Sequence, residues 1–217
     1  MNTLAVTPMT ESTPNRATPN QDALLQLSRR VDWRFLLPDP DLGHTAYVGR
    51  TDAGLIESLR RFTSSLTILE RGQAVAATTS HFALVIASNP NRNELRQAAE
   101  LTRVGGFLYF EVDKRWSRQT RHRLSRDNRP PRGVRGYLSA IQQLDLSDPK
   151  VHWHWPSFDS CHEMIPLQDR AAGICALRRR GSSSRVRWKT RLARLLLETQ
   201  LLANFVPCFS VITRRCS

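Results

Sequence analysis

Two spacings of hydrophobic positions alternate along the chain. HTAYVG (44–49), LTILE (66–70), HFALVIAS (81–88), FLYFEVD (107–113), VHWHWP (151–156) and CFSVITR (208–214) are short apolar runs, several nearly unbroken. Unbroken runs of this length suit strands covered on both faces. Between them, AGLIESLRRFTSS places Leu55, Ile56, Leu59 and Phe62 on one side of a helix. RNELRQAAELTRV predicts a second helix, capped by Asn91 or Asn93 and stopping at Gly105-Gly106. A short helix is expected in GVRGYLSAIQQLDL and a long one in WKTRLARLLLETQLLANF, ahead of the last strand. Strands alternating with helices predict an α/β domain whose mostly parallel sheet is flanked by helices. Ligands of such sheets sit beyond the carboxyl ends of the strands, where the strand order reverses.

Composition places the domain within the chain. Residues 1–21 are rich in Thr, Pro and Asn and are expected to form a disordered tail. Residues 22–217 form the α/β domain, opening on a short helix from Asp22 to Arg30 with Leu24, Leu25 and Leu27 as its apolar face. The net charge of +13 is unevenly spread. Nine Lys/Arg against Asp127 fall between Lys114 and Arg135, a net +8, and eight Lys/Arg with no acid fall between Arg178 and Arg194, another +8. The two segments exceed the whole-chain value, so the remainder carries about −3. They read as basic insertions at 114–136 and 178–194. Either solvated arginine-rich loops or a surface that concentrates anionic partners would account for them.

Other classes of function find little support. Cys161, Cys175, Cys208 and Cys216 form no CxxC pair, so neither a zinc ribbon nor a redox dithiol is expected, and free thiols suit a reducing cytosol. No run reaches the ~20 apolar residues of a membrane span. The start lacks the basic and apolar regions of a secretory signal, so the expected location is cytoplasmic. There is no P-loop and no GxSxG elbow. The second basic segment runs into a leucine-rich helix. Such a helix either covers the sheet or lies peripherally on an anionic membrane. Nucleic acid is a conceivable partner, but the first basic segment offers only Trp116 before Tyr137 for stacking bases.

The stretch AYVGRTDAGLIESL (46–59) runs from a strand through a glycine turn into a helix. With HFALVIASNPNRNELRQAAELTRVGGFLYFEV and the closing CFSVITR, it resembles the class I S-adenosylmethionine-dependent methyltransferases over about residues 32–215. The resemblance implies a Rossmann-like sheet with an antiparallel last strand inserted beside the strand FLYFEVD. It implies S-adenosylmethionine as cofactor, held by Gly49, Arg50 and Gly54 of the turn, by Glu70 and by Ser88. In the family the acid at the position of Glu70 accepts hydrogen bonds from the ribose hydroxyls, a task suited to a carboxylate. This chain departs from the pattern. Tyr47 stands where the family has an acid, Thr51 and Ala53 fill the second and third glycine positions, and Gly54 is one step out of register. Only ten residues, Arg71–Ser80, lie where the family has a helix and a strand.

Methyl transfer asks for alignment and at most one base. Asp113, His152 and His154 stand near the expected carboxyl-end face. In a strand the two histidines share a side, yet no third ligand at a telling spacing points to a metal. Two functions remain in view. One is methyl transfer to an anionic acceptor, a small phosphorylated molecule or a lipid-linked sugar. The other is a non-catalytic module of the same fold that docks a partner, membrane or nucleic acid through its basic surface.

Overall fold

The computed structural model describes residues 21–49, 52–70, 81–114, 129–179 and 206–216. The expected N-terminal tail, most of both basic insertions, Arg50 and the helix expected at 188–205 lie outside the described residues, as does the short stretch Arg71–Ser80. A seven-stranded sheet forms the centre: β1 (His44–Gly49), β2 (Ser65–Glu70), β3 (Phe82–Ser88), β4 (Thr102–Asp113), β5 (Leu146–Trp155), β6 (Glu163–Pro166) and β7 (Cys208–Arg215). Their order is β2-β1-β3-β4-β7-β5-β6. The pairs β1–β2, β1–β3 and β3–β4 are parallel, whereas β7 runs antiparallel to both β4 and β5. Five strands thus point one way, with β7 and β6 opposed. The mostly parallel sheet and the antiparallel last strand beside FLYFEVD are as the sequence predicts.

Alternation along the strands divides the interior into two layers. Ala46, Val85, Ala87, Leu108, Phe110, Phe209, Val211 and Val151 face α3 (Arg92–Leu101), α4 (Gly133–Ile141) and α5 (Arg170–Arg179). On the other side Tyr47, Ile86, Tyr109 and Ile212 meet α2 (Ala53–Phe62) and the short 3-10 turn Asp32–Leu36 that follows α1 (Gln21–Arg30). Trp33 stacks on Tyr109 with ring centroids 3.7 Å apart. Burying a large apolar side chain contributes about 1.5–3 kcal/mol, so each layer has its own substantial driving force.

Helix ends follow the sequence where a side chain can satisfy them. Asn91 caps α3: its carboxamide accepts from Glu94 N, and Glu94 Oε2 accepts from Asn91 N. Asp52 caps α2 through Leu55 N. The end of α3 departs from expectation. The helix stops at Leu101, and Gly105-Gly106 lie inside β4. Thr102 ends it by returning its hydroxyl to Ala98 O, and Gly105 adopts φ +76° where β4 shifts register against β3. A Cβ on Gly106 would fall 2.9 Å from Ala83 O, so this glycine serves strand packing and not helix termination. Helix α4 is shorter than its predicted run, and β5 begins five residues before VHWHWP. Neither β6 nor α5 is apparent from periodicity.

The carbonyls at the end of α3 are collected by one side chain. Arg215 Nη1 donates to Ala99 O, Glu100 O and Thr102 O, at 3.1, 2.8 and 2.6 Å. Bonds to a charged donor contribute about 1.5–3 kcal/mol net. Arg215→Met is expected to lower the urea midpoint by a stability loss of about that size, with an unchanged slope.

Candidate functional site

The carboxyl ends of the parallel strands carry a polar row. Glu70 pairs with Gly49, Gly49 with Ser88, Ser88 with Glu111, Glu111 with Ser210, and Ser210 with His152. Because side chains alternate, these positions share one face of the sheet, one step beyond Tyr47, Ile86, Tyr109 and Ile212. The order reverses at β1, which continues to β2 on one side and to β3 on the other, so the row's β1 end lies at the crevice expected for a ligand.

Each strand end is shaped locally. Gly49 has φ +112°, and a Cβ there would sit 3.2 Å from Ser88 O. Only glycine takes this conformation readily, and its bare Cα leaves the backbone open to close approach. Gly54 is different: it lies within α2, where a Cβ would meet only Asp52 Oδ1 at 3.6 Å. Asn89, at φ +48°, locks the ends of β3 and β4 together: its N–H donates to Glu111 O and its Oδ1 accepts from Asp113 N. Asp113 therefore ends β4 beside Asn89, half-buried. Glu70 closes β2 next to Gly49.

The centre of the row holds a buried ion pair that the sequence does not advertise. Arg30, the last residue of α1, donates from Nη1 to Glu111 Oε1 and from Nη2 to Glu111 Oε2, both at 2.6 Å. The two side chains are 6% and 2% exposed. Tyr109 Oη donates to the same Glu111 Oε1 at 2.8 Å. Asp52 lies 3.4 Å from Nη2, Asp159 3.2 Å from Nε, and the Phe158 ring 5.4 Å from the guanidinium carbon. Burial alone would favour losing the Arg30 proton, but the charge and hydrogen bonds of Glu111 outweigh it and raise the pKa. Burial, then the Glu111 charge, raises Tyr109 well above the usual tyrosine value. Burial also raises Tyr47, which is hydrogen-bonded to Ser88. Both phenols stay neutral.

The histidines of β5 go to different surroundings. His154 is buried, with Nε2 2.8 Å from Ser210 Oγ and its ring 4.7 Å from that of Phe158. Burial, then the charges of Arg30 and His152, push its pKa down to about 3. His152 is lowered by burial and by Lys150, and its Nδ1 is buried without a hydrogen-bond partner. Among the described residues no group of three His, Cys, Asp or Glu is placed to hold a metal, and no described helix is long and apolar enough to cross a membrane. The structure thus gathers Gly49, Ser88, Glu70, Asp113 and His152 at the strand ends, with His154 one strand step away. It sets Gly54 in a helix. Arg30, Tyr109, Glu111 and Ser210 complete the row. The signal for Glu111 was present: a carboxylate two residues after Tyr109 in an apolar strand must find a partner.

No family model and no curated protein sequence matches the chain. Solved structures do. A SAM-dependent methyltransferase from Thermotoga maritima, described as a possible histamine N-methyltransferase, is 10% identical with a TM-score of 0.45, over 88% of this chain and 89% of that one. A putative sarcosine dimethylglycine methyltransferase from Galdieria sulphuraria is 10% identical with a TM-score of 0.42, over 90% and 86%. A phosphoethanolamine N-methyltransferase from Haemonchus contortus is 7% identical with a TM-score of 0.45, over 91% and 53%. The strand order, with β7 antiparallel between β4 and β5, is that of a class I S-adenosylmethionine-dependent methyltransferase-like fold.

Two outcomes follow from these charges. Arg30→Met leaves the Glu111 carboxylate buried and uncompensated, and is expected to cost about 3–5 kcal/mol in denaturant unfolding. Adding Glu111→Leu should restore most of the loss. For His154, the unfolded state takes up a proton as pH falls below 6.5 while the folded state resists down to about 3. Stability is therefore full above pH 6.5 and drains away through that window. In His154→Gln the stability–pH curve should be flatter there, as thermal melts across the range would show.

Proposed function

We propose that the protein binds S-adenosylmethionine at the β1 end of the polar row and transfers its methyl group to an anionic acceptor. The observation that carries this reading is Gly49: a positive-φ glycine at the reversal of strand order, its open backbone paired on one side with Glu70 and on the other with Ser88. These residues fit the group. Gly49 leaves room for close approach, Glu70, the register partner of Gly49 at the end of β2, would accept from the ribose hydroxyls, and Ser88 and Asn89 border the turn at the next strand. The cofactor supplies a methyl group activated by its positive sulfur. The acceptor's nucleophile bonds to that carbon as the carbon–sulfur bond breaks, and the acceptor's proton goes to a base or to solvent. Asp113, half-buried at the end of β4, is a candidate for that role, and the His154 imidazole is hydrogen-bonded to Ser210. The anionic acceptor rests on the basic segments at 114–136 and 178–194, which bring dense arginine charge next in sequence to β4 and α5.

One observation favours the non-catalytic alternative. Arg30 occupies the centre of the row, so a side chain of the protein itself fills the space over Glu111.

Calorimetric titration with S-adenosylhomocysteine separates the two. Micromolar binding that weakens at least about tenfold in Glu70→Ala, the loss of roughly 1.4 kcal/mol, supports the enzyme. A folded protein that gives no heat removes it and leaves the docking module.

A further inference from the structure

At the strand ends one side chain is set with a donor to spare. Asn89 follows Ser88, the β3 member of the polar row, and stands half-buried at φ +48°. Asparagine is among the few residues with a side chain that enter this region readily. Its backbone N–H donates to Glu111 O at 2.7 Å, which fastens the turn to β4.

The carboxamide is fixed as firmly. Its Oδ1 accepts from Asp113 N at 2.8 Å. A backbone N–H can meet only the oxygen of the amide, so chemistry decides the orientation of the group. The plane of the amide then carries Nδ2 to within 3.3 Å of Ser88 Oγ, longer than the ~2.9–3.0 Å usual for such bonds. One of its two hydrogens is spent on that long contact, and the other has no partner among the described residues. Turning Nδ2 away would break the bond to Asp113 N. What the carboxamide presents at the ends of β3 and β4 is therefore a donor, held in place, and not an acceptor.

The methyl-transfer reading given above, on which this inference rests, makes that donor selective. The attacking atom must spend one lone pair on the methyl carbon. A hydroxyl oxygen has two, so the second can accept from Asn89 Nδ2 while the first attacks. The oxygen–carbon bond forms as the carbon–sulfur bond breaks, the sulfur keeps that bonding pair, and the hydroxyl proton leaves to a base or to solvent. A neutral amine has a single lone pair. Once that pair is aimed at the methyl group, only N–H groups are left to face Nδ2, and a donor meets donors. We propose that Asn89 is a specificity-determining residue, selecting an acceptor whose reacting atom is a hydroxyl oxygen over one that reacts through an amine. The anionic group of the acceptor is then a separate part of the molecule.

The test uses the full chain labelled with ¹⁵N and a pair of probes, para-hydroxybenzoate and para-aminobenzoate, which share ring and carboxylate and differ in the atom that would react. The Asn89 side-chain signals are assigned by their absence from Asn89→Asp and from Asn89→Gly. In protein saturated with S-adenosylhomocysteine, para-hydroxybenzoate should shift these signals saturably. It should bind about tenfold tighter than para-aminobenzoate, the difference between one hydrogen bond made and left unmade. Asn89→Asp keeps an oxygen for Asp113 N and tolerates positive φ, but it replaces the donor with a carboxylate oxygen. There the preference, read from the Asp113 backbone signal, should disappear. Equal or reversed affinities overturn the proposal, as does a preference that survives in Asn89→Asp, or no saturable shift with either probe. Cofactor binding is read separately, from the backbone signal of Gly49. If S-adenosylhomocysteine leaves Gly49 unmoved, the methyl-transfer reading fails, and the same titrations without cofactor still decide whether Asn89 tells a hydroxyl from an amine.

Discussion

The contact between Arg30 and Glu111 ties the chain's entry into the domain to the end of its sheet. Removing two charges from water costs several kcal/mol each, recovered only when geometry is close and the remaining hydrogen-bonding capacity is used. Here the carboxylate receives both arms of the guanidinium and the Tyr109 hydroxyl. Asp52 and Asp159 draw on the rest of the cation. The position of α1 therefore cannot relax independently of β4. With Arg30 fixed, Val31 and Trp33 enter the layer above Tyr109, and α2 packs beside them through Leu55 and Leu59.

Register carries the same constraint across the sheet. On β1, β3, β4 and β7 the polar row and the apolar row beneath it are two residues apart, so a slip of one residue on β3, β4 or β7 would turn Ser88, Glu111 or Ser210 into the opposite layer. Phe110, Val211, Ala87 and Val48 occupy that opposite layer with no polar group among them. A carboxylate displaced into it would be stranded. The chemistry at the strand ends and the packing below them are thus consequences of one alignment.

Much of this was legible in the sequence. Strands rich in Val, Ile, Leu and Phe, and helices with apolar stripes, declare themselves through spacing, and Asn91 declares a cap because Glu94 follows three residues later. The turn at Gly49 was equally visible, since a lone glycine between strand and helix has few other uses. What spacing does not convey is long-range pairing. Arg30 and Glu111 are 81 residues apart, and nothing local in RR or YFEV names the partner. The helix after Glu94 was overextended because Gly105-Gly106 looks like a stop signal, while Thr102 ended the helix three residues earlier. Strand β6 has four residues including a proline, too few for a period. Gly54 resembled part of the turn because sequence shows proximity, whereas Asp52 had already begun the helix.

The place of β7 has a consequence for how the fold is assembled. This strand is the last of the seven in the chain, yet it lies between β4 and β5. Strands β1 to β4 can join as they emerge, each beside one already made. The β5–β6 hairpin has no place on that sheet until residues 208–215 arrive, because its edge pairs with β7 alone. During synthesis, which proceeds from the N-terminus, the hairpin waits with the β5 edge that takes β7 unpaired, and the free edge of β4 waits with it. The sheet closes in one late event, by insertion of a single strand into a gap. Non-local pairings of that kind are the slow part of folding, and here the slow part completes the polar row by adding Ser210 between Glu111 and His152.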